Sequence, residues 1–238
     1  MKFVVYKDAD SVAKAAATTI AEDARAAIAA RGRFTLAVSG GHTPWIMLRA
    51  LAEENIPWAA VHVFQVDERI APAGHPDRNL AHLRESLLQH APLPPEQIHA
   101  MPVEATDLQA GAAQYALALA GAAGSPPVLD LAHLGLGPDG HTASLVPGDP
   151  VLEVADKDVA ITGIYQGRQR MTLTFPAINR ARRVLWVVTG SEKVEILRHL
   201  LEGDASIPAG RVRRDNALLL ADRAAAEQLA AEQKQGGV

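Results

Sequence analysis

The sequence contains no cysteine among its 238 residues. This absence excludes disulfides, zinc–thiolate sites and cysteine nucleophiles. Positive charge is not in excess either: the formal net charge is −4, which argues against a general nucleic-acid binder. No run approaches the roughly 20 apolar residues of a membrane span, and residues 1–8 lack the apolar segment of a secretory signal. We therefore expect a soluble, cytoplasmic protein that binds neither nucleic acid nor membrane.

The chain has enough apolar character for a large core, since 48% of its residues are hydrophobic and 21% are charged. Short apolar runs typical of strands alternate with longer stretches of helical periodicity. The strand-like runs are 3–6, 34–38, 61–66, 98–101, 129–136, 159–164, 171–175, 184–189 and 217–220, and the helix-like stretches are 9–30, 45–51, 80–88, 108–120, 191–201 and 224–231. Strands separated by helices pair in parallel. The sequence predicts one α/β domain over residues 1–238, with an open, mainly parallel sheet and helices on both faces.

Polar clusters follow several predicted strands, where open α/β sheets bind ligands. The first cluster runs from Ser39 to Pro44 (Ser-Gly-Gly-His-Thr-Pro) between a strand and a helix. Its two glycines let backbone N–H groups approach an anion, and the helix N-terminus favours negative charge. We expect Thr43 to be the N-cap and Pro44 the first helical residue. On this segment alone, a phosphate-binding loop and an ordinary capped turn explain the residues equally well.

The second cluster, Asp67–Arg69, directly follows a strand-like run. It can supply a base, a partner for that base and a cation, although a solvated loop also explains three adjacent charges.

A further candidate is the pair Arg170 and Lys193, each at a predicted strand end. Both can reach an anionic group, and the alternative for each is a solvated surface residue.

A glycine-rich turn from Gly135 to Ser144 formally matches the dinucleotide fingerprint G-x-G-x-x-G. Pro138 inside the turn and the position in the middle of the chain argue against that interpretation. The turn instead presents Asp139 and His141 on one loop, where a carboxylate can orient an imidazole as a general base. Because the chain has nine histidines, a simple packed or exposed histidine is the alternative.

A serine hydrolase is a further possibility, because residues 37–41 approach the G-x-S-x-G nucleophile motif. That fold needs a histidine after its acid, and His199, the only histidine after His141, lies in a predicted helix. Pro44 and the two consecutive glycines also suit an anion loop better, so the sequence disfavours this class.

Taken together, four segments resemble the 6-phosphogluconolactonase family, within the wider glucosamine-6-phosphate isomerase/deaminase-like group. They are Ser39–Pro44, Val66–Arg69, Gly135–Leu145 and Arg170–Thr174, with Gly190 and Lys193 matching a final signature. Their order and spacing cover nearly the whole chain. The resemblance implies a modified Rossmann-like, NagB-like sheet.

The resemblance also implies an activity: hydrolysis of 6-phospho-D-glucono-1,5-lactone to 6-phospho-D-gluconate, a carboxylic ester hydrolysis in the oxidative pentose phosphate pathway. A small phosphorylated sugar lactone would be the partner, with no metal and no organic cofactor, and we expect a monomer or a homodimer. By this resemblance, the residues that bind the 6-phosphate are Ser39, Gly40, Gly41, Thr43, Arg170 and Lys193. The resemblance also implies that His141 is the general base, with Asp67, Arg69 and Asp139 around the reacting end of the lactone.

Two other function classes stay open. An aldose–ketose isomerase or deaminase acting on a sugar phosphate such as glucosamine 6-phosphate would need the catalytic glutamate of that group, where this chain has Val146. A non-catalytic sugar-phosphate sensor would carry a DNA-binding segment, and no helix-turn-helix fits before the first predicted strand. Residues 166–169 are less proline-rich than the family pattern, which leaves either Arg168 or Arg170 to meet the phosphate.

Overall fold

A seven-stranded parallel sheet forms the centre of the computed structural model, in which residues 1–227 are described. Its strands, in their side-by-side order, are β1 (Lys2–Tyr6), β10 (Ala217–Asp222), β9 (Arg183–Val188), β6 (Leu131–Leu134), β2 (Phe34–Val38), β3 (Val61–Gln65) and β5 (Ile98–His99). Every neighbouring pair is parallel. The predicted open, mainly parallel sheet is confirmed.

Helices cover both faces of this sheet. Successive strand residues point to opposite sides, so the apolar strands present side chains on both faces for helices to bury. The helices are α1 (Ala9–Arg31), α2 (His42–Ala52), α3 (Asn79–Leu83, continued by a π-helical turn over Arg84–Leu88), α4 (Leu108–Ala123), α5 (Phe175–Asn179) and α6 (Val194–Glu202). Leu36 and Leu185 join the core layer formed with α1, α2 and α3. Ala37 and Trp186, one residue further on, join the layer formed with α4, α5 and α6.

A separate three-stranded antiparallel sheet was not predicted. It consists of β4 (Asp67–Arg69), β8 (Arg170–Leu173) and β7 (Val159–Ile161), in the order β4-β8-β7. The sequence predicted a polar loop for β4, since three adjacent charges show no alternating pattern. Its strand conformation comes from pairing with a distant segment, in which Arg69 lies opposite Arg170. The small sheet therefore brings β8 beside the carboxyl end of β3.

The start of α2 differs from the prediction. The helix begins at His42 and its N-cap is Gly41, with φ 128°, a backbone conformation that glycine adopts without steric cost. Thr43 is not the N-cap, because it is the second residue of the helix. Its hydroxyl bonds instead to the hydroxyl of Thr189 at 2.7 Å. At the other end of the chain, the second half of the predicted helix over 224–231 lies outside the described residues. Within residues 1–227, no helix combines the length and the apolar character required to cross a bilayer.

Candidate active site

One cleft of about 240 Å³ opens at the carboxyl ends of four adjacent strands, β9, β6, β2 and β3. The chain order reverses between β2 and β6, the kind of position where open α/β sheets bind ligands. Seven of the ten residues that the sequence predicted for the site line this cleft: Ser39, Gly40, Asp67, Arg69, His141, Arg170 and Lys193. Asp139 lies directly behind His141, while Gly41 and Thr43 flank the cleft at the start of α2.

The turn after β6 holds His141 against Asp139. The Nδ1 atom of His141 lies 2.5 Å from Oδ1 of Asp139, and the imidazole is 20% exposed. An ionised carboxylate can only accept, so Nδ1 is the donor in this contact, and in a neutral imidazole Nε2 is then the nitrogen with a free lone pair. Gly137 makes the packing possible, because a Cβ at that position would collide with the imidazole ring. An imidazole paired with a carboxylate in this way can act as a general base that the carboxylate orients.

The carboxylate of Asp139 is held in its charged form. Burial alone raises its pKa, but hydrogen bonds from the ring and backbone of His141 and from Tyr165 outweigh that effect, so the pKa stays below its ordinary value. The phenol of Tyr165 donates to Oδ2 of Asp139 at 3.0 Å. Both carboxylate oxygens therefore have donors, one from each side.

The loop after β2 lines the same cleft through Ser39 and Gly40. The Ser39 N–H is already used, since it donates to Nδ1 of the buried His133 at 3.2 Å. Its hydroxyl, by contrast, is buried at the cleft wall and finds no partner among residues 1–227. Gly40 packs against Asn79 so closely that a Cβ would collide with the side-chain amide. The loop thus has a hydroxyl without a partner in the described part of the chain and, next to it, a glycine whose backbone lies against the side chain of Asn79.

Arg170 is 4% exposed and belongs to a buried polar network. The hydroxyl of Ser144 donates to Oδ2 of Asp67 at 2.7 Å and lies 3.5 Å from a guanidinium nitrogen of Arg170. Asn79 donates to Oδ1 of Asp67 at 3.3 Å. Burial, followed by the neighbouring charge of Arg69, lowers the pKa of Arg170. Two guanidinium groups side by side at a cleft suit an anionic ligand.

The structure separates Arg168 from Arg170, between which the sequence could not choose. Arg168 donates through Nε to Asp77 at 2.6 Å and lies 3.1 Å from the ring of His75. It is therefore tied to the surface loop before α3, whereas Arg170 lines the cleft.

A model of the family described as glucosamine-6-phosphate isomerases/6-phosphogluconolactonase matches residues 7–220. The chain belongs to this family. It is 41% identical over 211 residues to a 6-phosphogluconolactonase of Synechocystis, covering 85% of this chain and 88% of that protein. It is also 38% identical over 239 residues to the 6-phosphogluconolactonase of Mycobacterium tuberculosis, covering 94% of this chain and 97% of that one.

Solved structures of the family share the fold. The crystal structure of a 6-phosphogluconolactonase from Thermotoga maritima superposes with a TM-score of 0.82 at 26% identity, covering 93% of this chain and 98% of that one. A monomeric glucosamine-6-phosphate deaminase superposes with a TM-score of 0.83 at 21% identity, covering 95% and 99%. The second likeness concerns the fold alone.

The structure gives one predicted residue, Glu68, a different role and adds one residue, Tyr165, that was not predicted. Glu68, predicted as one of three candidate catalytic charges, is fully buried and structural: it accepts the N–H groups of Asn79 and Leu80 at 2.8 Å each and pairs with Arg78 at 3.2 Å. It thereby fixes the start of α3. Tyr165 carried no sequence signal, because its contact with Asp139 depends on a loop placed by the small sheet.

The site holds no evident metal centre. In the part of the chain that the structure describes, no three His, Asp or Glu side chains are arranged to hold a metal ion. The polar side chains that line the cleft include three cations suited to an organic anion, one imidazole and the carboxylate of Asp67.

Proposed function

We propose that this chain is a 6-phosphogluconolactonase, which hydrolyses 6-phospho-D-glucono-1,5-lactone to 6-phospho-D-gluconate in the oxidative pentose phosphate pathway. One observation carries the proposal: an imidazole backed by a carboxylate lines the same cleft as the loop after β2 and three cationic side chains. Relatives at 38% and 41% identity over most of the chain bear that enzyme's name.

The phosphate of the substrate binds at Ser39, Gly40, Arg170 and Lys193 in this proposal. The free hydroxyl of Ser39 and the guanidinium of Arg170 provide directed hydrogen bonds, and Lys193 adds charge. Gly41 and Thr43 flank the loop and position it. This remote binding energy does no chemistry, but it fixes the lactone carbonyl relative to His141.

His141 acts as the general base at the other end. Its Nε2 takes a proton from water as the water oxygen bonds to C1, and the carbonyl becomes a tetrahedral oxyanion. Arg69 lies at the cleft and stabilises that charge, an effect worth about 3 kcal/mol for one good donor. The C1–O5 bond then breaks, and the imidazolium returns its proton to the ring oxygen. Base catalysis of this kind contributes about 10²–10⁴-fold.

The deaminase alternative needs a second proton-transfer group after His141. At the place of the family deaminases' glutamate this chain has Val146, which is buried and cannot exchange a proton. Ring opening and amine chemistry are therefore disfavoured, although the fold is shared with a deaminase.

The test is turnover of freshly generated 6-phosphogluconolactone, followed by proton release or by coupled oxidation of the product, against a buffer blank. A parallel assay uses glucosamine 6-phosphate. We expect acceleration of the first reaction and no turnover in the second. Turnover of the amino sugar alone, or ligand-induced thermal stabilisation without any turnover, would refute the lactonase. The expected cytoplasmic location and the choice between monomer and homodimer stay predictions.

A further inference from the structure

Tyr165 touches three of the residues on which the proposed reaction depends, although it does not line the cleft itself. Its phenol donates to Asp139 at 3.0 Å. Its ring meets the imidazole of His141 edge to face, with centroids 5.4 Å apart. The guanidinium carbon of Arg170 lies 4.9 Å from the centre of the same ring. One side chain thus joins the base and the phosphate-binding cation.

We propose that Tyr165 is a positioning residue that holds Asp139 and Arg170 in their working geometry. The inference rests on the proposed lactonase function and adds a residue to its machinery. Because Oδ1 of Asp139 contacts His141 and Oδ2 accepts from Tyr165, the carboxylate plane is fixed by two donors. A carboxylate held in this way fixes the imidazole orientation in turn.

Backbone hydrogen bonds restrict the loop that carries Tyr165. Tyr165 and Arg168 bond to each other through both backbone groups, at 2.9 and 3.2 Å, around Gln166 and Gly167, whose φ values are 51° and 77°. Two consecutive positive φ angles define the tight two-residue hairpin turn that matches strand twist. Gln166 has a left-handed backbone conformation there, which residues other than glycine rarely adopt and which clusters at functional sites.

Both ends of this hairpin are anchored. At its base, Thr162 and Arg170 exchange hydrogen bonds, from Thr162 N–H to the Arg170 carbonyl at 2.9 Å and from Arg170 N–H to the Thr162 hydroxyl at 3.1 Å. At its tip, Arg168 is bound to Asp77. Gln166 also accepts from Arg170 at 3.3 Å. The ring of Tyr165 is therefore held in place before substrate arrives.

Two substitutions separate the roles of the hydroxyl and the ring. Tyr165→Phe removes only the donor to Asp139, so kcat should fall about tenfold while KM stays within about twofold, because the ring face over Arg170 remains. Tyr165→Leu removes the ring as well, and KM should then rise about fivefold in addition. Ile164→Ala, at the exposed neighbouring position (77% accessible), is the matched control and should leave both constants unchanged.

The pH dependence distinguishes positioning from simple packing. Without the phenol donor, the charge of Asp139 is less neutralised and favours the imidazolium form of His141. The acid limb of kcat/KM should therefore move to higher pH in Tyr165→Phe, and the histidine ring titration followed by NMR, which needs no turnover, should move the same way. The other charged groups facing the imidazole across the cleft are Asp67, Arg69, Arg170 and Lys193, and neither variant alters them.

The outcomes are separable. Unchanged kcat and an unmoved titration in Tyr165→Phe, in a variant whose melting temperature shows a normal fold, would overturn the role of the hydroxyl. An unchanged KM in Tyr165→Leu would overturn the role of the ring. Wild-type protein that fails to hydrolyse the lactone refutes the proposed function instead, and the NMR titration still decides whether Tyr165 acts on His141 through Asp139.

Discussion

His141 is the side chain whose replacement should affect the chemistry most. His141→Asn keeps a donor that can reach Asp139 but removes the free ring nitrogen, so kcat should fall by about 10²–10⁴-fold with KM within about threefold. Steady-state hydrolysis of the phosphorylated lactone measures both constants. His90→Asn, at an exposed position, is the control. A loss of less than about threefold in kcat would contradict a general-base role.

Arg170 should govern recognition of the phosphate rather than the reaction itself. Arg170→Gln removes a buried charge from the cleft, and KM for the phosphorylated lactone should rise about 10- to 100-fold. KM for the non-phosphorylated gluconolactone should not change. Arg198→Gln, at a partly exposed arginine on α6 paired with Glu195 and Glu202, controls for the loss of one positive charge. Equal losses on both lactones would refute the phosphate assignment.

The residues that the sequence identified share one property: they lie in short polar motifs at strand ends. Parallel strands bring their carboxyl ends to one edge of a sheet, so Ser39, Asp67 and His141 converge by topology. Tyr165 and Ser144 act through contacts with distant segments. A hairpin with a Gln-Gly turn gives no strong sequence signal, since asparagine or aspartate before glycine is the usual mark.

Glu68 joins two elements, β4 and α3, and its loss should destabilise the protein. Glu68→Gln keeps the shape but leaves the buried Arg78 without its fully buried counter-charge, so the free energy of unfolding should fall by about 3 kcal/mol. Glu104 pairs with the same guanidinium at 2.9 Å but is 54% exposed. Glu104→Gln should therefore cost less than about 1 kcal/mol.

Urea unfolding of the two variants measures this difference. The ion pair with Arg78 is common to both, so the difference measures the burial of Glu68 together with the hydrogen bonds it accepts from Asn79 and Leu80. Equal losses of stability would show that the interior position of Glu68 contributes nothing.

The main sheet and its helices were predictable because their apolar residues follow clear periods. α1 and β2, for example, lie within one or two residues of their predicted bounds. The small sheet was not predictable, because β4 consists of three charged residues whose pairing partner, β8, lies about a hundred positions away. Local pattern gives no information on such long-range pairing.

Acid should destabilise the folded chain through its buried histidines. Burial lowers the pKa of His133 to about 3, whereas the unfolded chain takes up that proton near pH 6.5. The unfolded state therefore binds more protons as the pH falls below about 6.5. From about pH 7.5 to about pH 5, this histidine alone should remove about 2 kcal/mol of stability. Burial lowers the pKa of His99 to about 4, which adds in the same direction.

His133→Asn tests this effect, since the asparagine oxygen can still accept the Ser39 N–H. The variant should lose less stability than the wild type between these two pH values, whatever its stability at neutral pH. His90→Asn should retain the wild-type slope. Parallel stability–pH curves for wild type and His133→Asn, obtained by urea unfolding, would contradict a neutral buried His133.

A crystal structure of the protein with bound 6-phosphogluconate tests most directly whether one cleft serves both the phosphate and the base. We expect the phosphate against the Ser39 hydroxyl, Gly40 and the Arg170 guanidinium, with the C1 carboxylate next to Nε2 of His141. A phosphate bound outside this cleft, or a reversed product with its phosphate at His141, would contradict the assignment of the site.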